Sequence, residues 1–287
     1  MIRIILIQLI VFFLGIFIIL TLFPLSVLAR VIPVSLGQKE ISQSADSGIT
    51  LTVTYDNYHY QPELQTAWGF SCIIQGMDKT ILFDTGGNGQ VLLSNMQDLN
   101  INPETIDIIV LSHIHGDHVG GLMSFLERNT RSTVYLPQTF PQRFKGEVCQ
   151  SGADIIEVGP STEICPNVYS TGIMGSGIKE QSIILRTDQG MIVITGCAHP
   201  GIVNILKKAG QLFSDEIVLA MGGFHLGGQS SYQLRNLIAD FKRLGVSYVG
   251  PCHCSGDLTR QLFEEEYQDH YLAIGVGKVI HLPDLEK

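Results

Sequence analysis

Charge is scarce in this sequence. Only 16% of its 287 residues are Asp, Glu, Lys or Arg, and the formal net charge is -9. There is no basic run and no stripe that interleaves basic with aromatic side chains, which excludes a primary nucleic-acid binder. Cysteine is sparse too. Six thiols in 287 residues do not make a disulfide scaffold, and none are spaced as a CxxC redox pair; Cys252-His253-Cys254 has a single intervening residue. Cys149 and Cys165 flank a loop-like segment and are the pair an oxidising compartment would join. The low charge, set beside an apolar fraction of 45%, argues against long disorder and for one large domain with a substantial core.

One apolar run stands apart. Ile4 to Ala29 holds roughly 26 residues without a charge, more than the ~20 that span a bilayer. Residues 1–29 read as a signal peptide cleaved near Val27-Leu28-Ala29 or as an uncleaved membrane anchor, and either would place the rest outside the cytoplasm as an exported, secreted, periplasmic or membrane-anchored protein. A buried core helix fits less well, because the segment has no polar face. Residues 30–48 read as a linker, and residues 49–287 as the domain.

Within the domain, short β-branched runs alternate with helical stretches. Ile49 to Tyr55 alternates with period two, as a half-buried strand does. Phe70–Ile74 and Thr80–Phe83 read as a hairpin, Gly89–Leu99 as a helix, and Ile106–Leu111 as a strand buried on both faces. Gly120–Arg128 reads as a helix. Ser182–Arg186 and Met191–Thr195 form a second hairpin. Ile202–Ala209 and Ser231–Leu244 read as helices, Glu216–Met221 and Val246–Val249 as strands. This order predicts an α/β fold with two sheets face to face and helices outside.

Six of the nine histidines fall in loops directly after these strands: His113, His115, His118, His199, His225 and His253. Imidazole is a good ligand for zinc, iron and related metals, and strand ends hold loops on a rigid frame. His113 and His115, two apart in an extended segment, project to one side and can grip one ion. Asp117 and His118 come a turn later and can serve a second. Two ions about 3.5–4 Å apart can share a water, lower its pKa and polarise the bond it attacks. Asp117 would orient or deprotonate that water.

Thr54-Tyr55-Asp56-Asn57, Phe83-Asp84-Thr85-Gly86, His113-Ile114-His115-Gly116-Asp117-His118 and Gly196-Cys197-Ala198-His199-Pro200-Gly201 resemble the metallo-β-lactamase superfamily. Gly222-Gly223-Phe224-His225-Leu226 and Pro251-Cys252-His253-Cys254 resemble its branch of metal-dependent hydrolases that includes archaeal dihydropteroate-synthase-like proteins. The resemblance implies a four-layer αββα sandwich with metals at one edge of the sheets. It implies that His253 is the final metal ligand and that Asp84 orients a histidine from behind the metals, where a plain turn aspartate is the alternative. The sequence departs from the superfamily in its second half. No histidine lies between His118 and His199, and Cys197 stands where a bridging aspartate is expected. Either His199 completes the first metal site, or Cys197 takes part of the bridging as a thiolate; Cys197 is otherwise a small buried apolar residue. One ion or two is left open. His225 would bind metal, face substrate or act as a general acid. Asp56, Asn57, Glu180 and Gln181 would line the rim, and Trp68 and Phe70 would wall a flat ring.

The function expected is hydrolysis of a small anionic or heterocyclic substrate with a divalent ion, zinc by default and iron or manganese as alternatives. The rivals are a transferase that joins a pterin to an aminobenzene unit, and a non-catalytic metal-binding or sensing module.

Overall fold

The computed structural model describes residues 48–285. The apolar run from Ile4 to Ala29 and the linker before Gly48 lie outside the described residues.

Thirteen strands among the described residues form two sheets. The first has seven, in the order β13-β1-β2-β3-β4-β5-β6. Its members are β1 (Thr50–Tyr55), β2 (Ser71–Gln75), β3 (Ile81–Phe83), β4 (Ile108–Val110), β5 (Thr133–Pro137), β6 (Ile155–Val158) and β13 (Val279–His281). The second has six, in the order β12-β11-β10-β9-β8-β7. These are β7 (Thr162–Cys165), β8 (Val168–Ser170), β9 (Ile183–Arg186), β10 (Met191–Thr195), β11 (Ile217–Gly223) and β12 (Tyr248–Cys252). The long helices are α1 (Gly89–Asp98), α4 (Gln142–Gln150), α5 (Ile202–Leu212), α6 (Ser231–Arg243) and α7 (Asp257–Tyr267), with short α2 (Gly116–Val119) and α3 (Leu122–Leu126) between α1 and α4.

The central strands of each sheet are apolar on both faces, and successive side chains divide between two cores. In the first sheet Ile74, Phe83 and Val110 join Ile183, Leu185, Ile192 and Leu219 of the second in one buried cluster. Their neighbours Ile73, Leu82 and Ile109 pack instead with Leu92 and Met96 of α1 and Leu122 and Phe125 of α3. On the other sheet Ile184, Val193 and Ala220 pack with Ile205 of α5, Leu234 and Phe241 of α6 and Phe263 of α7. The molecule is a mixed α/β fold in which two sheets share a core and helices cover their other faces.

Strand direction positions the site. β3 and β4 run parallel, as do β10, β11 and β12. Each ends in a loop that carries one of the sequence motifs. A single helix over Gly120–Arg128 is not what forms. Helix starts at Gly116 and is interrupted at Gly120-Gly121, where a side chain on Gly120 would run into the backbone of Gly87. The 149–165 disulfide is not formed either: all six cysteines are free, with Cys149 exposed on α4 and Cys165 buried on β7.

Asn95 on α1 ties this framework together. Its side-chain amide donates to Thr54 O at 3.0 Å and Gln65 O at 2.8 Å, and its oxygen accepts from Gln65 N at 2.9 Å. Asn95→Ala leaves the buried Thr54 O and the part-buried Gln65 N and O without this partner and is expected to cost about 2 kcal/mol, read as a lowered midpoint in urea.

Candidate metal centre

The loop after β4 carries Ser112 and His113, and the chain stays extended to His115, whose φ is -65° and ψ 143°. His113 and His115 project to the same side, with ring centroids 4.6 Å apart. The loop after β10 brings His199 to both, at 4.6 Å from His113 and 4.9 Å from His115. One donor atom from each of these three lies within 4.8 Å of the others. Asp117 and His118, in α2, meet His253, in the turn after β12, and Cys197 to make a second such group. His118 Nε2 lies 3.1 Å from Cys197 Sγ and 3.2 Å from His253 Nε2. Asp117 Oδ2 lies 3.3 Å from His253 Nε2.

Two buried carboxylates set the tautomers of these rings. Asp84, at the end of β3, accepts from Ser112 N and Ser112 Oγ at 2.7 Å each and from His118 Nδ1 at 2.7 Å. Because Ser112 Oγ donates to Asp84, it accepts from His113 Nδ1, 2.9 Å away. Glu180 accepts from the backbone N–H groups of Cys197, Ala198 and His199 and from His199 Nδ1, all at 2.8–2.9 Å. Asn57 donates to His253 O, which fixes its amide orientation, so its Oδ1 accepts from His253 Nδ1 at 3.0 Å. In all four rings Nδ1 is engaged in a hydrogen bond, which leaves Nε2 facing the centre, as a lone pair whenever the ring is neutral.

This donor set fits divalent ions. His113 Nε2 is buried and has no hydrogen-bond partner. The lone pairs of His118 and His253 face each other, 3.2 Å apart, beside a carboxylate, an arrangement that only a cation or a proton reconciles. Burial, with His118 close by, drives the His113 pKa down to about 2, so this ring stays neutral and available. Burial lowers His115 as well, with His199 adding to it. Asp117 is held ionised well below the usual carboxylate range: burial opposes this, but the hydrogen bond from His253 and the charge of His118 prevail. Glu180 is lowered to about 2 against its burial by the His199 hydrogen bond and its neighbours.

Several residues expected at the rim sit elsewhere. Glu180 is buried beneath the His199 loop, and Gln181 is buried with its amide on Leu111 O and its oxygen on Ser170 Oγ; it joins the two sheets rather than facing substrate. Asp56 is wholly buried and accepts from Tyr58 N. Phe70 packs in the core between the sheets against Phe83, not on a wall of the site. Trp68 does line the opening: it is 60% exposed, and its ring lies 4.9 Å from that of His253. His225 is exposed, with its ring 4.5 Å from that of His199. Two participants were not foreseen from the sequence. Ser112 relays Asp84 to His113. Cys254 groups with Cys197 and His225; its signal was the cysteine two positions after Cys252.

Glu180→Gln retains one acceptor oxygen for four N–H groups. The expected outcome is a roughly 10–100-fold loss of metal affinity, measured by competition with a chromophoric chelator; unchanged affinity would show that the loop holds its shape unaided. Asp56 supplies a pH test. Burial raises its pKa from 3.8 to about 6, so the folded chain holds an extra proton between those values. Stability is then full below about pH 4, falls as pH rises to about 6, and levels above it. In chelator, wild type is expected to lose on the order of 3 kcal/mol relative to Asp56→Asn between pH 4 and 7, read by denaturant titration.

A profile of the metallo-β-lactamase superfamily matches residues 69–201. A 7,8-dihydropterin-6-methyl-4-(β-D-ribofuranosyl)-aminobenzene-5'-phosphate synthase of Methanocaldococcus jannaschii is 26% identical over 278 residues, covering 80% of this chain and 95% of its own. A solved metal-dependent hydrolase of the β-lactamase superfamily aligns with a TM-score of 0.70 at 28% identity, covering 82% of this chain and 99% of that one. The short form of human tRNase Z, at a TM-score of 0.55 and 16% identity over 82% of this chain and 99% of that one, shares the fold. The expectation of an exported or membrane-anchored protein is corrected. Among the described residues no helix is long and apolar enough to cross a membrane, and the synthase that aligns over most of the chain is a pterin-related enzyme. Its motifs, its two-sheet fold and these likenesses make the chain similar to the metallo-β-lactamase superfamily, whose profile it matches over residues 69–201.

Proposed function

We propose that this protein is a metal-dependent hydrolase of a small substrate with an anionic or heterocyclic group. The observation that carries this is the pair of adjoining donor groups, His113-His115-His199 and Asp117-His118-His253 with Cys197, in which hydrogen bonds at Nδ1 aim the rings of His113, His118, His199 and His253 toward the centre. Zinc, or iron or manganese on the same donors, would supply Lewis acidity and make a water nucleophilic near neutral pH.

The chain's own groups do the rest. Asp117, ionised and partly exposed, is placed to orient a water and accept its proton. Asp84 and Glu180 keep the imidazoles from rotating, so little reorganisation is needed as charge develops. Trp68 offers an exposed face for a flat ring beside His253. His225, exposed next to His199, can donate to a leaving group or to the substrate.

The alternative is a transferase that joins a pterin to an aminobenzene unit with displacement of diphosphate. It is supported by the alignment with the archaeal synthase across 95% of that protein.

The test is turnover by the zinc- or manganese-loaded chain across phosphodiester, ester, lactone and β-lactam substrates, and in parallel with a pterin diphosphate and an aminobenzene acceptor. Hydrolysis of one class is expected, with Asp117→Asn lowering kcat/KM about 10²–10⁴-fold. Coupled product with diphosphate release would replace hydrolase by transferase. Bound metal without turnover in any assay would leave a metal-binding or sensing module.

A further inference from the structure

Beyond the two donor groups above lies a third of different chemistry. Cys197, His225 and Cys254 each offer a donor atom within 4.8 Å of the others. They come from the ends of three neighbouring strands, β10, β11 and β12, which run parallel side by side. The group contains no carboxylate. Two sulfurs and one imidazole make a softer donor set than the nitrogen and oxygen ligands alongside, and one suited to zinc-like ions.

The surrounding backbone is shaped around these sulfurs. Gly223, at the end of β11, lies where a Cβ would be 2.2 Å from the Gly196 carbonyl oxygen in the loop after β10, 2.8 Å from Cys254 Sγ and 3.2 Å from Cys197 Cα, so the neighbouring backbone and the sulfur together demand glycine. Only glycine clears that space. Ser255 Oγ accepts from Phe224 N at 3.0 Å and donates to Cys252 O at 2.6 Å, so the loop that carries His225 is locked to the turn that carries Cys254. His225 adopts a left-handed φ of 51°, a conformation that costs a non-glycine residue energy and is kept where surroundings demand it. Cys197 is buried and Cys254 partly so, while His225 is exposed, so the group reaches from the interior to the surface.

We propose that Cys197, His225 and Cys254 form a third cation site for a zinc-like ion, joined to the second donor group through the shared Cys197 sulfur. The site binds whether or not the protein is a hydrolase. A tetrahedral ion there takes three protein ligands and keeps one open position, next to His199.

The experiment uses the full chain, purified anaerobically, stripped of metal and titrated with Co²⁺ alone and, separately, with Zn²⁺ alone. Wild type is expected to take up one more ion per chain than Cys254→Ser or His225→Ala. Its thiolate-to-cobalt charge-transfer band in the near ultraviolet should fall by about two thirds in Cys254→Ser, because losing that ion removes two of three cobalt–sulfur bonds and leaves the one from Cys197 to the second donor group. His113→Ala should lose an ion but keep that band, which separates this site from the first donor group. His225→Ala, at an exposed position, carries the test if Cys254→Ser fails to fold. Unchanged stoichiometry in His225→Ala together with an unchanged band would overturn the proposal. So would a Cys197–Cys254 disulfide found by non-reducing peptide mapping of the anaerobic protein.

Discussion

The candidate site depends first on one buried carboxylate. Asp84 is wholly inaccessible to solvent; burial pushes its pKa up, while His118 and the Ser112 donors pull it down. It touches none of the candidate donor atoms that face the centre. It decides which nitrogen each ring presents. Its bond to His118 Nδ1 is direct, and its bond to His113 passes through the Ser112 hydroxyl. Two imidazoles from one loop are thereby turned with their lone pairs inward. Glu180 does the same for His199 from the opposite sheet. An aspartate on the first sheet and a glutamate ahead of β9 thus act on two donor groups that neither joins, which is how outer partners tune metal sites in general.

The geometry carries a conformational cost at the strand ends. Asp84, Ala198, His225 and His253 have φ values of 56°, 57°, 51° and 47°, in the left-handed region that non-glycine residues avoid at about 1–3 kcal/mol each. All four lie where a strand gives way to a site loop. The strands bend sharply there because the donors must turn back over the edge instead of continuing the ladder. Three buried clusters of apolar side chains hold the framework that enforces these turns, so core packing and site geometry are coupled.

The strands and helices that frame the site were legible because they are apolar and bounded by glycine or by the motifs themselves. β11 and β12 run further toward the site than their apolar cores suggest, through Gly222-Gly223 and Gly250-Pro251-Cys252, since the parallel ladder continues through residues with little strand preference. Residues 129–181 gave no clear pattern. β6 sits at a sheet edge with Glu157 exposed, and α4 buries the stem of Lys145 beside Val148, so neither shows clean periodicity. The histidines and Asp117 were legible as a cluster because strand ends concentrate them. The depth of Glu180, Gln181, Asp56 and Phe70 was not, because polar residues at strand ends look alike whether they face water or hold a loop from below. Residue type identified the chemistry, and only packing separated groups that face the centre from groups that aim them.

Cys197 is where the chain departs most from the superfamily it resembles, and the departure changes the chemistry of the second donor group. A carboxylate at that position would arrive ionised. The Cys197 thiol does not: its hydrogen bond with Cys254, burial and nearby acidic groups all push its pKa up. It becomes a ligand only by giving up its proton to make way for an ion, so metal uptake at this sulfur is coupled to proton release. The first group needs no such exchange, because His113 is already neutral across the working range. The two adjoining groups are therefore unequal in kind. One offers imidazoles, of which burial lowers His113 and His115 toward the neutral form, and the other is partly gated by a thiol whose ionisation depends on the cation itself. The soft character of that sulfur also extends the site toward His225 and Cys254, a direction in which a bridging carboxylate would offer no thiophilic donor.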